Sequence, residues 1–211
     1  MHSGNTQTRE EELTFEEEKI MKQDIILAGV GGQGILSIAY VIDNAALRDG
    51  LNFKQAEVHG MAQRGGAVQS HLRLSDGEIH SDLIPRGAVD IILSVEPLEA
   101  LRYVDTLAPS GTVVTSRVPF VNIPDYPDLD QVLDAVRSTG DAVVVDSKAL
   151  AAEAGSPRTQ NIVMLGAASP KLAVDPESLR TFITTLFSPK GQKMVDINIK
   201  AFELGREAAR V

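Results

Sequence analysis

Residues 25–46 restrict the fold of this chain more than any other stretch. There Ile25-Ile26-Leu27-Ala28 runs into Gly29-Val30-Gly31-Gly32-Gln33-Gly34, and then into Ile35, Leu36, Ala39, Ile42 and Ala46 before Gly50. A short apolar run bounded by glycine reads as a buried strand, and apolar residues three and four apart mark one face of a helix. A strand feeding a helix through a tight glycine loop is the opening unit of an α/β sheet.

The remaining chain continues this alternation. Residues 53–58 read as a second strand that ends at another glycine-bearing loop, after which Val68, Ser70, Leu72 and Leu74 alternate with polar residues as a half-solvated strand does. Ser75-Asp76-Gly77 reads as a hairpin turn into a strand over 78–83. Residues 89–95 and 112–115 are further strands, separated by a helix carrying Leu98, Leu101 and Val104 and by the turn residues Pro109-Ser110-Gly111. Residues 142–145 repeat the scheme: Asp146 ends the strand, Ser147 caps the next helix and Gly155 stops it. Two C-terminal helices follow, one opened by Asp175 with Pro176 in its first turn, the other over 192–208.

The expected fold is α/β, a three-layer αβα sandwich on a Rossmann-like, mixed but mostly parallel sheet, with the hairpin at Gly77 supplying the antiparallel neighbours. A single domain over 21–211 is expected. Residues 1–20 form an acidic extension whose runs Glu10 to Glu12 and Glu16 to Glu18 favour a solvated, disordered arm. The competing reading is a short amphipathic helix through Leu13, Phe15 and Ile20.

Composition narrows the function. A formal net charge of -9 repels phosphate backbones and anionic bilayers, so neither nucleic acid nor membrane is an expected partner. The chain has no cysteine, and therefore no disulfide, thiol nucleophile or cysteine-held iron–sulfur cluster. Its hydrophilic start lacks the pattern of a signal peptide and no later apolar run spans a bilayer, which gives a cytoplasmic expectation. His59, His71 and His80 lack short two-histidine spacing, so no metal site is expected.

The candidate chemistry lies in two glycine loops. In the first, Gly29, Gly31, Gly32, Gln33 and Gly34 satisfy the GxGxxG spacing between strand and helix, where open amides and close backbone approach suit a phosphate. Tight strand-to-helix packing explains the same glycines without a ligand. A dinucleotide site also needs an acidic residue at the end of the second strand, and Glu57 is the candidate. The segment that follows, His59-Gly60-Met61-Ala62-Gln63-Arg64-Gly65-Gly66, is not part of an ordinary NAD site. Arg64 beside two glycines offers a planar fork and open amides to phosphate or carboxylate, or it braces the fold by pairing with Glu57 or Glu96. No catalytic residue is assigned.

These segments carry a resemblance. GVGGQGI, EVHGMAQRGGAVQSHLRLSDGEI, VEPLEALRY, NIVMLGA and NIKAFELG together closely resemble the beta subunits of the indolepyruvate ferredoxin oxidoreductases and, more broadly, the gamma subunits or domains of the 2-oxoacid:ferredoxin oxidoreductases. The likeness runs from about residue 21 to about residue 206, with EVHGMAQRGG its most specific element. It implies a heteromeric enzyme that decarboxylates a 2-oxoacid on thiamine diphosphate, passes electrons through iron–sulfur clusters to ferredoxin and releases an acyl-coenzyme A. Glu96 and Asn161 match family-like segments, where capping or packing serves them equally well.

By that resemblance this chain is one part of the machinery. It has no GDG thiamine signature, since Ser75-Asp76-Gly77 lacks the first glycine, so thiamine diphosphate, magnesium and the clusters belong to a large (alpha) partner subunit. Coenzyme A is the expected cosubstrate, with no cofactor held by this chain alone. Gly31, Gly32, Gly34, Gln63, Arg64, Gly65 and Gly66 are the expected lining of the coenzyme or interdomain pocket, with Gly29, Gln33 and His59 beside them. The alternatives are a stand-alone NAD- or flavin-binding oxidoreductase and a purely structural subunit.

Overall fold

The computed structural model describes residues 21–59 and 65–210. The acidic extension, and with it both readings of residues 1–20, lies outside the described residues. Among the described residues six strands form one sheet: β1 (Lys22–Val30), β2 (Asn52–His59), β3 (Ala67–Ser75), β4 (Val89–Ser94), β5 (Leu107–Ser116) and β6 (Asp141–Val145), in the order β2-β3-β1-β4-β5-β6. β1, β4, β5 and β6 are mutually parallel, whereas β3 runs antiparallel to both β1 and β2. The sheet is mixed and mostly parallel, as the alternation of elements implied.

Seven helices of the described residues cover it: α1 (Ile35–Arg48), α2 (Pro97–Leu101), α3 (Leu129–Arg137), α4 (Ser147–Ala154), α5 (Gln160–Ala168), α6 (Pro176–Phe187) and α7 (Gln192–Ala208). Alternation along β1 sends Ile25 and Leu27 into a core with α1 and α4 to α7, and Ile26 and Ala28 into a second core with Ala100 of α2 and Val136 of α3. Those two cores make the sandwich three-layered. Within the larger core α5 and α7 meet backbone to backbone, because a Cβ added at Gly166 would lie 2.0 Å from the Phe202 carbonyl oxygen and one at Gly205 would lie 1.9 Å from that of Val163.

Several local expectations change. Residues 78–83 form no strand, and the hairpin is β2–β3, joined through the second glycine loop. The reason is that Ser75 already faces Lys22 on one side and Asn52 on the other, so β3 has no free edge. The chain after Gly77 folds over β3 instead: the Arg73 guanidinium donates to the Ser81 and Leu83 carbonyls at 2.9 and 3.1 Å, and the Ile84 N–H donates to His71 Nδ1 at 3.1 Å. Pro109-Ser110-Gly111 lies inside β5, where the register with β4 shifts between Val89 and Ile91, making a strand irregularity in place of a turn. α2 stops at Leu101, and Val104 belongs to a separate 3-10 turn. Asp146, not Ser147, caps α4, its carboxylate accepting from the Ala149 N–H at 2.9 Å. α3 and α5 are additional helices.

Candidate functional site

The carboxyl ends of β1, β4, β5 and β6 lie side by side, and the chain leaves β1 and β4 in opposite directions: α1 packs on one face and α2 on the other. Such a switch point opens a crevice above the sheet. Gly31 to Gly34 fill one lip of it.

The first glycine loop is shaped from within. Gln33 folds back so that its Oε1 accepts the Val30 N–H at 2.7 Å, while its own N–H donates to the Val30 carbonyl at 3.0 Å. Gly29 is buried beneath this knot, its position for a Cβ only 2.9 Å from both Gln33 Oε1 and Ile35 Cδ1. It lets the loop close. Gly34 is the N-cap of α1 at φ 80°, with no side-chain cap, and its carbonyl accepts from Asn161 Nδ2 at 3.3 Å. The amides of Gly32, Gly34, Ile35 and Leu36 donate to no protein acceptor among the described residues. Open amides at a helix start carry partial positive charge and suit an anion.

The fold brings the two glycine loops together. Gly31 N–H donates to the Gly66 carbonyl at 2.8 Å, and Gly65 N–H donates to the Gly31 carbonyl at 3.3 Å. A third segment locks the junction, for Asn122 Nδ2 donates to the Gly65 carbonyl at 2.5 Å. Gln63 and Arg64 lie outside the described residues, and of His59 only the backbone, the last position of β2, is described.

Two clefts flank the first loop. One, of about 350 Å³, runs along Val30, Gly31, Gly32, Gly34 and the start of α1 to Val68. The other, of about 410 Å³, is lined by Gly32, Gln33, Phe120, Arg158, Gln160 and Asn161, with Val95 and Pro157. Phe120, Asn122, Arg158 and Gln160 were not anticipated as site residues.

Glu96 organises the far wall. It is 1% exposed and caps α2 by accepting the Glu99 N–H at 2.8 Å, while its other oxygen accepts from the Tyr126 hydroxyl at 2.5 Å and the Phe120 N–H at 3.3 Å. The capping reading is therefore the one the geometry supports. Burial, followed by the adjacent Glu96 carboxylate, pushes the Tyr126 phenol well above its usual range, so it stays a donor.

Glu57 does not sit where a dinucleotide's ribose would need it. β3 intervenes between β1 and β2, which puts Glu57 two strand spacings, about 10 Å, from the strand that carries the loop. It receives a hydrogen bond from Gln55 Nε2 at 2.7 Å and faces Asp43 of α1, whose carboxyl is raised from 3.8 to about 7, first by burial and then by Glu57. Among the described residues no three histidine, aspartate or glutamate side chains gather as a metal site. His71 is tied to the segment over β3, and burial lowers its pKa. No helix of the described residues is long and apolar enough to cross a membrane.

Residues 24–208 match the family described as pyruvate ferredoxin/flavodoxin oxidoreductase. The indolepyruvate oxidoreductase subunit IorB of Thermococcus kodakarensis is 38% identical over 197 residues, covering 89% of this chain and 96% of that one. Among solved structures, a keto/oxoacid ferredoxin oxidoreductase gamma subunit from Geobacter sulfurreducens matches with a TM-score of 0.67 and 25% identity, over 90% of this chain and 97% of that one. A 2-oxoglutarate:ferredoxin oxidoreductase from Magnetococcus marinus, solved with 2-oxoglutarate, coenzyme A and succinyl-CoA, shares the fold with a TM-score of 0.74 at 23% identity. It matches over 90% of this chain, which spans 31% of that longer one.

Proposed function

The chain belongs to the pyruvate ferredoxin/flavodoxin oxidoreductase family, and from that premise we propose that it is the small subunit of a heteromeric 2-oxoacid:ferredoxin oxidoreductase acting on indolepyruvate or a related aryl pyruvate. In this reading its part is to hold coenzyme A at the crevice above β1 and β4. The observation that carries the coenzyme assignment is the meeting of two glycine loops at a switch point, with the amides of Gly32, Gly34, Ile35 and Leu36 unspent among the described residues. A diphosphate needs several donors and no nearby carboxylate, and this lip supplies them. Gly29 and Gln33 support the loop, while Gly31, Gly32, Gly34, Gly65 and Gly66, with Gln63, Arg64 and His59 at the adjoining segment, make up the site's two lips.

The 2-oxoacid carbon skeleton and the electrons are handled on a large (alpha) partner subunit, which carries thiamine diphosphate with magnesium and the iron–sulfur clusters and delivers electrons to ferredoxin. When bound there, thiamine diphosphate supplies the carbanion stabilisation that decarboxylation needs. The present chain positions the thiol that accepts the acyl group and excludes water around it. Residues 21–211 act as one domain in a cytoplasmic enzyme, with 1–20 an extension outside it.

Co-expression of this chain with a large subunit of the same enzyme type tests the reading. The complex is expected to co-elute and to reduce ferredoxin with indolepyruvate, phenylpyruvate or hydroxyphenylpyruvate, faster than with aliphatic 2-oxoacids, and only when coenzyme A is present. Two independent peaks at micromolar concentration, or coenzyme-independent turnover, would overturn it.

A further inference from the structure

The cleft on the far side of the first loop has a different chemical character from the loop itself. Its walls come from four separate parts of the chain, and among the described residues none that line it is acidic. The one charged side chain among its described lining residues is Arg158, which stands between Pro157 and Thr159 in the 3-10 turn before α5. Five of the ten described arginines, Arg73, Arg86, Arg102, Arg137 and Arg180, pair with a carboxylate. Arg158 makes no ion pair among the described residues, and its only hydrogen bond is from its backbone N–H to Ser156 Oγ at 3.3 Å.

The polar groups around it are already committed in a way that leaves donors over. Gln160 accepts from Ser147 Oγ at 3.1 Å and donates to the Pro157 carbonyl at 3.1 Å, and Asn161 is held by the Gly34 carbonyl at 3.3 Å. Gln33 spends its Oε1 on Val30, which fixes the side chain and leaves its Nε2 as a donor on the cleft wall. Gly32, at φ 100° with open space where a Cβ would stand, lies on the boundary of both clefts. One face therefore offers backbone amides, the other a free guanidinium and a side-chain amide.

We propose that this second cleft is a phosphomonoester subsite, in which Arg158 and Gln33 hold the 3′-phosphate of coenzyme A while its diphosphate lies on the other side of Gly32 against the α1 amides. The assignment rests on the coenzyme reading above and adds to it the group that discriminates between coenzymes. A row of amides suits the singly charged oxygens of a diphosphate, whereas the more highly charged monoester is matched by the planar two-pronged fork of an arginine. Cleft, loop and cleft follow in the order diphosphate, ribose and 3′-phosphate.

The test is a ligand-by-variant cycle on the assembled enzyme, using coenzyme A and 3′-dephospho-coenzyme A as the two probes. KM from ferredoxin reduction and Kd from calorimetry are measured for the parent, Arg158→Ala, Arg158→Gln and Arg158→Lys. The parent is expected to bind coenzyme A about ten- to hundredfold more tightly than the dephospho form, the size of one charge-assisted contact. Arg158→Ala and Arg158→Gln should abolish that preference by weakening coenzyme A alone, with the dephospho form within about twofold of the parent. Arg158→Lys should recover part of it. An equal effect on both coenzymes, or an intact preference in Arg158→Ala, overturns the subsite and leaves the coenzyme reading standing. If the parent binds neither coenzyme, the coenzyme reading itself falls and the subsite with it.

Discussion

Replacing Gly34 by alanine strikes the point where the first glycine loop becomes α1, and its cost follows from two separate features. The residue sits at φ 80°, a conformation that costs an L-residue roughly 1–2 kcal/mol. In addition, the new Cβ would stand 2.6 Å from Asn161 Nδ2, so the amide must withdraw and surrender its 3.3 Å bond to the Gly34 carbonyl, a loss of about 1 kcal/mol. Together these give a destabilisation of about 2–3 kcal/mol. Urea denaturation of the purified chain measures it directly. The two parts separate in a double-mutant cycle: Asn161→Ala alone costs about 1 kcal/mol through the same hydrogen bond, so the double variant should be less destabilised than the sum by about 1 kcal/mol. Strict additivity would show that Gly34 and Asn161 are not coupled and would refute the packing described between the loop and α5.

Other consequences are equally open to measurement. Asp43 is buried with Oδ1 unpartnered, and its raised pKa means the folded state holds a proton the unfolded state has released. Stability should accordingly fall as pH rises from about 4 to about 7, by roughly 4 kcal/mol at most, and Asp43→Asn should flatten that slope and stabilise the chain at pH 8. Equal slopes for parent and variant in denaturation at pH 4.5 and pH 8 would contradict this. Gly205→Ala sets a Cβ against the Val163 carbonyl oxygen and should cost about 3 kcal/mol or more, read as a lower denaturation midpoint. Arg73→Met removes the 2.7 Å partner of the fully buried Asp24 and should cost about 3–5 kcal/mol, towards the lower end because Lys22 also reaches that carboxylate at 2.6 Å. A change below about 1 kcal/mol would mean the Arg73 pair contributes little.

What was legible in the sequence were the elements with an unambiguous local signal. The β1-loop-α1 unit declares itself through apolar run, glycines and helical period, and Asp175-Pro176 and Gly155 mark helix ends by their own backbone chemistry. α5 carries no such period, because residues 161–168 are buried on every side and an apolar helix buried all round looks the same in each direction. The apparent turn at Gly77 shows the limit of local reasoning, since whether a strand follows depends on whether its neighbour has a free edge, which only the pairing of β1 and β2 decides.

The candidate site divides the same way. The glycines at 31, 32, 34, 65 and 66 were visible as two motifs, yet nothing local says that Gly31 donates to Gly66 and accepts from Gly65. Glu57 satisfied the sequence spacing of a ribose-binding acid and failed on topology, because spacing along the chain does not record which strand is inserted between two others. Arg158 is one arginine among many until the fold places it on the wall of the cleft beside the first glycine loop. A basic residue following Pro157 just ahead of α5 was the available signal for it.

The claim that this chain holds the coenzyme at its glycine crevice is tested most directly by amide hydrogen exchange on the assembled enzyme with and without coenzyme A. Slowed exchange is expected at Gly32, Gly34, Ile35 and Leu36, the amides that donate to no acceptor among the described residues, with little change along α6 and α7. Unaltered exchange at those four positions while coenzyme A saturates the enzyme would contradict it, and would leave the glycine loops as the packing of a structural subunit.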